Sequence, residues 1–119
     1  MQIEVNGRNT AVGEEVRQHV HRRFEKVARQ VSDLARLRVE LRQERNPAIP
    51  DPFVAEATLY LKGVVLRARD ASPDLIHSIN LCAEELARQV KRDRDKRRRR
   101  REARAAAPAA ATGGLAPSA

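Results

Sequence analysis

The stretch FVAEATLYLKGVVLRARDASPD, residues 53–74, decides the fold. Ala55, Ala57, Leu59 and Leu61 are placed to face inward from one strand over about 53–61. Lys62-Gly63 supplies a tight turn, and Val64, Leu66 and Ala68 then alternate with Val65, Arg67 and Arg69. That is a period of two on both sides of a two-residue turn, so the segment predicts an antiparallel hairpin. Ser72-Pro73-Asp74 follows as a helix start. Ser can cap the free amides, Pro is tolerated at the first helical position, and Asp suits the positive end of the dipole.

Downstream, Ile76, Ile79, Ala83, Leu86 and Val90 form a helical stripe, joined by Leu75 and Cys82. A helix from 73 to about 101 would be roughly 43 Å long, against about 30 Å for a nine-residue strand, so its last turns overhang the sheet. The Ala/Pro/Gly-rich residues 105–119 have nothing to pack with and read as a disordered tail. Upstream, Pro47, Pro50 and Pro52 cannot donate to a ladder, so this stretch reads as a loop. Before it, Leu37, Val39 and Leu41 alternate with Arg36, Arg38, Glu40 and Arg42 in a strand that stops near Asn46-Pro47. Val16, Val20, Phe24, Val27 and Val31 mark a helix over about 13–31, with Glu14 and Glu15 at its positive end. Ile3 and Val5 mark a short first strand over 2–7.

The order is strand, helix, three strands, helix. A sheet with one polar face leaves the other for both helices, so the class is α+β: a two-layer βαβββα sandwich with a four-stranded sheet. The helix between the first two strands allows a parallel crossover, and the short later connections favour antiparallel neighbours. The domain runs over 1–104, including a basic extension of its second helix.

At 119 residues and 41% hydrophobic, the chain builds one modest core. Phe24, Phe53 and Tyr60 are its only aromatics, too few for a sheet that stacks single-stranded bases. The net charge of +8 is unevenly placed. Residues 1–87 hold 13 basic and 13 acidic side chains, whereas residues 88–104 hold 11 basic and 3 acidic. A lone Cys82 forms no internal disulfide, and no Cys/His set has structural-zinc spacing. No signal peptide and no run of roughly 20 apolar residues is present, which points to a reducing, cytoplasmic setting without membrane.

The run Arg97 to Arg101 repels itself strongly enough that a polyanion is the natural reason for it. Arg94, Lys96, Arg97, Arg98 and Arg99 are therefore taken as RNA-binding candidates, although Asp93/Arg97 and Asp95/Arg99 pairs would also support a plain solvated helix. Arg88, Lys91 and Arg92 fall opposite the apolar stripe, and on the first helix Arg22, Lys26 and Arg29 lie opposite Val20 and Val27. With both helices on one sheet face, these six form one surface suited to the phosphates of folded RNA. His19 and His21 diverge around their helix and His77 and Cys82 are five apart, so they read as surface and core residues rather than metal ligands. Glu84 is placed to pair with Arg88, Cys82 lies on the core stripe, and Leu81 falls on the exposed side without explanation. There is no Gly-rich phosphate loop, nucleophile turn or acid/base dyad, so the chain does not read as an enzyme.

Over residues 1–96 the chain resembles the ribosome hibernation promoting factors, the family that includes ribosome-associated inhibitor A. The resemblance rests on Ile3-Glu4-Val5-Asn6-Gly7-Arg8-Asn9 with Val12, Val39-Glu40-Leu41 through Asn46, Ala55-Glu56-Ala57-Thr58-Leu59 with Gly63, and Asp74-Leu75 through Ile79 to Leu86-Ala87-Arg88-Gln89-Val90. It implies a fold akin to double-stranded-RNA-binding domains. It also implies a partner, the 30S subunit with its 16S rRNA in 70S or 100S ribosomes, and a seat in the channel where tRNA anticodons and messenger RNA would sit. RNA contacts in such proteins come from basic positions on both helices, which map to Arg22, Lys26, Arg29, Arg88, Lys91 and Arg92. Asn80 stands where members usually have Asp, and Glu85 where they usually have Lys, which reverses the sign of one expected phosphate contact. The resemblance is to the short form, so no C-terminal dimerisation domain of the long-form kind is expected. The expected function is hibernation by exclusion, with no cofactor and no catalysis. A nucleic-acid-binding transcriptional modulator is the alternative, since a basic helix alone could enter a DNA groove.

Overall fold

The computed structural model describes the backbone of residues 1–118 and the side chains of residues 1–106. Its elements are β1 (Gln2–Arg8), α1 (Glu14–Arg23), α2 (Glu25–Ala28), β2 (Arg36–Gln43), β3 (Phe53–Leu61), β4 (Val64–Ser72) and α3 (Leu75–Ser118). The strands form one sheet in the order β1-β2-β3-β4. β1 runs parallel to β2 from Gln2↔Arg36 to Arg8↔Arg42, and the other two pairings are antiparallel. Leu61 pairs with Val64 across the turn, where Gly63 takes φ +80°, a conformation that a Cβ would strain. Gly7 is needed for space instead: a Cβ there would lie 2.6 Å from the Thr10 carbonyl oxygen and 2.5 Å from Val12 Cγ2.

Both helical layers cover the same sheet face, so the α+β two-layer architecture predicted above is the one observed. Val20 from α1, Val27 from α2 and Phe24 between them join Ile79, Cys82, Ala83, Leu86 and Val90 from α3 in one buried cluster. Val5, Leu37, Val39, Leu41, Ala55, Ala57, Leu59 and Ala68 complete it from the strands. Ala55, Ala57, Ala68 and Ala83 are small enough for α3 to lie close over β3 and β4. Val54 and Thr58 point to the uncovered face yet are buried. β3 is central, and Thr58 is flanked by Arg38 and Arg67, whose aliphatic stems can shield it.

The single first helix predicted over 13–31 is broken. Phe24, at φ −90° and ψ 1°, separates α1 from α2, although its amide still donates to the Val20 carbonyl at 3.0 Å and its own carbonyl accepts from Ala28. The fully buried Phe24 ring is fixed in the core, and the backbone bends at that residue. Past Ala28 the bonding tightens to Gln30 N–H donating to the Val27 carbonyl, and the helix ends before Val31.

α3 begins at Leu75, not at residue 73, and its cap is Asp74, not Ser72. The Asp74 carboxylate accepts from the His77 amide at 3.0 Å. Ser72 still belongs to β4, where its buried hydroxyl lies 2.7 Å from that of Ser78. The Ser78 hydroxyl also contacts the carbonyls of Phe53 and Asp74, at 2.7 and 3.1 Å, which ties the start of α3 to the start of β3. At its other end α3 extends past the predicted limit of 101. The expected disordered tail over 105–119 lies, from residue 107 on, outside the residues whose side chains are described; Ala105 and Ala106 are helical and exposed. No helix among the described residues is long and apolar enough to cross a membrane.

Cys82 is fully buried, with its thiol 3.5 Å from the Ala68 carbonyl oxygen. Burial, reinforced by the negative charge of Asp70, pushes the thiol up to about 12. Native protein at pH 8 is therefore expected to resist iodoacetamide, and urea-unfolded protein to be alkylated completely; rapid native labelling, read by mass spectrometry, would contradict this packing.

Candidate nucleic-acid interface

α1 begins with Glu14 and Glu15 and ends with His21, Arg22 and Arg23, so its charges match the helix dipole at both ends. Arg22 and Arg23 thereby emerge at the end of α1 that faces the middle of α3. There, α1, α2 and α3 enclose an open groove of about 530 Å³ lined by Arg22, Arg23, Lys26, Gln30, Ala83, Glu84, Ala87, Arg88 and Lys91. Two small alanines form its floor and five cations its walls. His19 Nε2 lies 2.7 Å from Asn80 Oδ1, a hydrogen bond from α1 to α3. His19 is therefore a half-buried link between the helices, not the simple surface residue predicted, and Asn80 has a role that its sequence position did not show.

The structure gathers Arg22, Lys26, Arg88 and Lys91 into this groove. The other predicted residues lie outside it. Arg29 is turned to Glu25, at 2.8 Å, and Arg92 lies 3.6 Å from Glu85. Arg94 and Arg97 border a smaller hollow near Gln30 and Lys62, while Lys96, Arg98 and Arg99 stand exposed on the overhang of α3. Arg98 pairs with Asp95 at 3.6 Å, in place of the predicted Arg99, whereas the predicted Arg97–Asp93 pair forms at 3.0 Å.

Arg23 was not among the predicted residues. It stands three before Lys26 and seven before Gln30, a row that faces α3, and that spacing could have revealed it. The predicted Glu84–Arg88 pair is not formed: Glu84 reaches across the groove to Arg23, at 3.6 Å, and Glu85 takes Arg88, at 2.7 Å. Glu85 also approaches Arg92 and accepts from Gln89. The hydrogen bond from Arg88, then that from Gln89, holds the Glu85 carboxyl below its ordinary value of 4.5. Burial, with Glu85 and Glu84 nearby, pushes the Asp70 carboxyl above its usual range. Among the described residues there is no group of three or more His, Cys, Asp or Glu side chains arranged to hold a metal ion. The arrangement is a cationic cleft with a carboxylate on its α3 wall, suited to holding polyanions.

Residues 3–98 match the family described as Sigma 54 modulation protein / S30EA ribosomal protein. A ribosome hibernation promotion factor of Picosynechococcus is 33% identical over 97 residues, which are 81% of this chain and 50% of that protein. The chain thus spans about half the length of that relative. A ribosome hibernation promoting factor of Salmonella typhimurium is 29% identical over 96 residues, covering 81% of this chain and 96% of its own. The Protein Y N-terminal domain of Thermus thermophilus superimposes with a TM-score of 0.67 at 25% identity, covering 77% of this chain and 98% of that domain. The match of 3–98 takes in nearly all of the sheet, α1, α2, the part of α3 that packs on them and every residue of the groove, and by it this chain belongs to the Sigma 54 modulation protein / S30EA ribosomal protein family.

Proposed function

We propose that this protein binds the small ribosomal subunit through its 16S rRNA, occupies the decoding channel, and stops translation in slow growth or stress by excluding tRNA and messenger RNA. It acts by binding and not by chemistry, and it needs no cofactor. One observation carries the reading: Arg22 and Lys26 from the first helical layer and Arg88 and Lys91 from α3 share a single groove, although residues 1–87 as a whole carry no net charge. Two helices spread these cations over a width that one helix in a DNA groove does not have, which suits phosphates from more than one strand of folded RNA. The names of the two relatives above agree with it.

If 6 to 10 phosphates are engaged, affinity for ribosomes should fall by about 10³ to 10⁵ between 50 and 200 mM salt. Binding that ignores salt would refute the mechanism. The direct experiment is a sucrose gradient of stationary-phase lysate probed for the protein across the 30S, 70S and 100S fractions. Its presence there is the expected result, and confinement to the top of the gradient would sink the reading. The transcriptional alternative, which half of the family's description names, is separated by a pulldown that recovers DNA or polymerase instead of 16S RNA.

Glu85 opposes this binding, because phosphates must displace its carboxylate from Arg88 and Arg92. Glu85→Gln keeps the side-chain shape and removes the charge, and exposed pairs of this kind are individually weak. RNA affinity should rise roughly three- to tenfold at fixed salt, as measured by filter binding, and an unchanged affinity would show that the pairs do not compete. The pH dependence follows from the sign of the shift. A carboxyl held lower in the folded state than in the unfolded one stabilises the fold above its ordinary value, and that contribution is lost as pH falls through the folded one. The Glu85 clamp is thus closed at neutral pH and opens only in acid below its ordinary 4.5.

A further inference from the structure

The face of α3 that packs on the sheet changes character where the sheet ends. Leu86 and Val90 are buried, and the same row continues at helical spacing through Asp93, Arg97, Arg101 and Arg104. Arg97 is fixed there, its guanidinium donating to the Lys62 carbonyl at 3.1 Å and paired with the Asp93 carboxylate at 3.0 Å. Lys62 sits on the β3–β4 turn, facing the overhanging helix. Together Lys62, Arg97, Arg100, Arg101 and Arg104 line a second concavity of about 650 Å³, and every lining side chain is cationic.

This concavity, the cationic notch, shares no lining residue with the interhelical groove. Arg88 and Arg97 are nine residues apart, about two and a half turns, so they lie on opposite sides of α3. Arg100, Arg101 and Arg104 also lie beyond residue 98, where the match to the family ends. Like charges at i,i+3 and i,i+4 destabilise a helix, and five cations around one hollow raise its potential further. An anion of several charges lying against such a row would relieve that repulsion.

We propose that this notch is a second polyanion site, with the Lys62 turn as one jaw and the Arg100–Arg104 face of α3 as the other, and that its occupant is a run of contiguous phosphates. Those phosphates belong to an RNA backbone or to a free oligophosphate, and α3 then grips phosphates on two faces at once. The site stands independently of the ribosomal reading.

The test uses the full chain, a structured RNA hairpin titrated from 50 to 200 mM salt, and inorganic tripolyphosphate titrated calorimetrically. The variant Lys62→Ala/Arg101→Ala/Arg104→Ala removes three exposed cations and leaves the Arg97 anchor; Lys62→Glu alone tests the opposite jaw without touching the helix. Loss of three phosphate contacts should lower the slope of log K against log salt by about 2 to 3, and Lys62→Glu should lower it by about 1. A reduced slope without tripolyphosphate binding assigns the site to RNA, and tripolyphosphate heat lost in both variants at unchanged RNA slope assigns it to a free oligophosphate. Wild-type behaviour of both variants toward both probes overturns the proposal, as does failure of the wild-type chain to bind either. A variant of the groove cations with an unchanged slope, beside a reduced slope in the notch variants, would defeat the groove assignment and leave the notch standing.

Discussion

Replacing Arg22, Lys26, Arg88 and Lys91 together by Ala should release the protein from ribosomes. Each cation that neutralises a phosphate contributes about 0.9 to the salt slope, so the quadruple variant should lose 3 to 4 of that slope and on the order of 10³-fold in affinity near 100 mM salt. All four side chains are exposed and none belongs to the buried cluster, so the circular dichroism spectrum and unfolding midpoint should stay close to wild type. Arg29→Ala is the internal control, because Arg29 is held by Glu25 outside the groove and should cost at most about one unit of slope. Co-sedimentation of the folded quadruple variant at wild-type levels would refute the groove as the binding surface.

The largest stability effect is expected at Phe24. Its ring is fully buried and it sits at the bend between α1 and α2, so truncation opens a cavity beneath both. Phe24→Ala should cost about 3–5 kcal/mol, a large share of the roughly 5–15 kcal/mol that holds a domain folded. The urea midpoint should fall accordingly with little change in m, and a loss below about 1 kcal/mol would contradict the packing. Phe24→Leu keeps most of the volume and should cost less than about 1.5 kcal/mol. Because Phe24 lies between Arg23 and Lys26, the Ala variant should also weaken RNA binding more than the Leu variant does.

The strands were legible because burial on one face writes a period of two into the chain. Over β3 the predicted span and the observed one coincide, and β1 gains only Arg8. The helical stripe likewise gave both layers. What the sequence could not show depends on contacts between distant segments. The bend at Phe24 keeps the same apolar spacing as an unbroken helix. Ser72 and Asp74 both have capping chemistry, and the choice fell to Asp74 because Ser72 is engaged with Ser78, six residues on. The helical wheel turned Arg22, Lys26, Arg88 and Lys91 outward, where the structure has them exposed, but it paired Glu84 with Arg88 by their spacing within one helix. Arg23 on α1 drew Glu84 across the groove, leaving Arg88 to Glu85. Lys62 carried no signal at all until the hairpin turn came to lie beside the overhanging helix.

The parallel pairing of β1 with β2 also sets an order of assembly. The β3–β4 turn joins partners three residues apart, Leu61 and Val64, whereas Gln2 must find Arg36, 34 residues away. By the logarithmic dependence of chain closure on length, that difference costs about 2 kcal/mol more entropy. The hairpin is therefore the natural nucleus, and the amino-terminal strand docks late, after the crossover helices have something to settle on. Early folding events would spare the first eight residues, so pulse-labelled hydrogen exchange should find the amides of Ile3 to Asn6 among the last to gain protection.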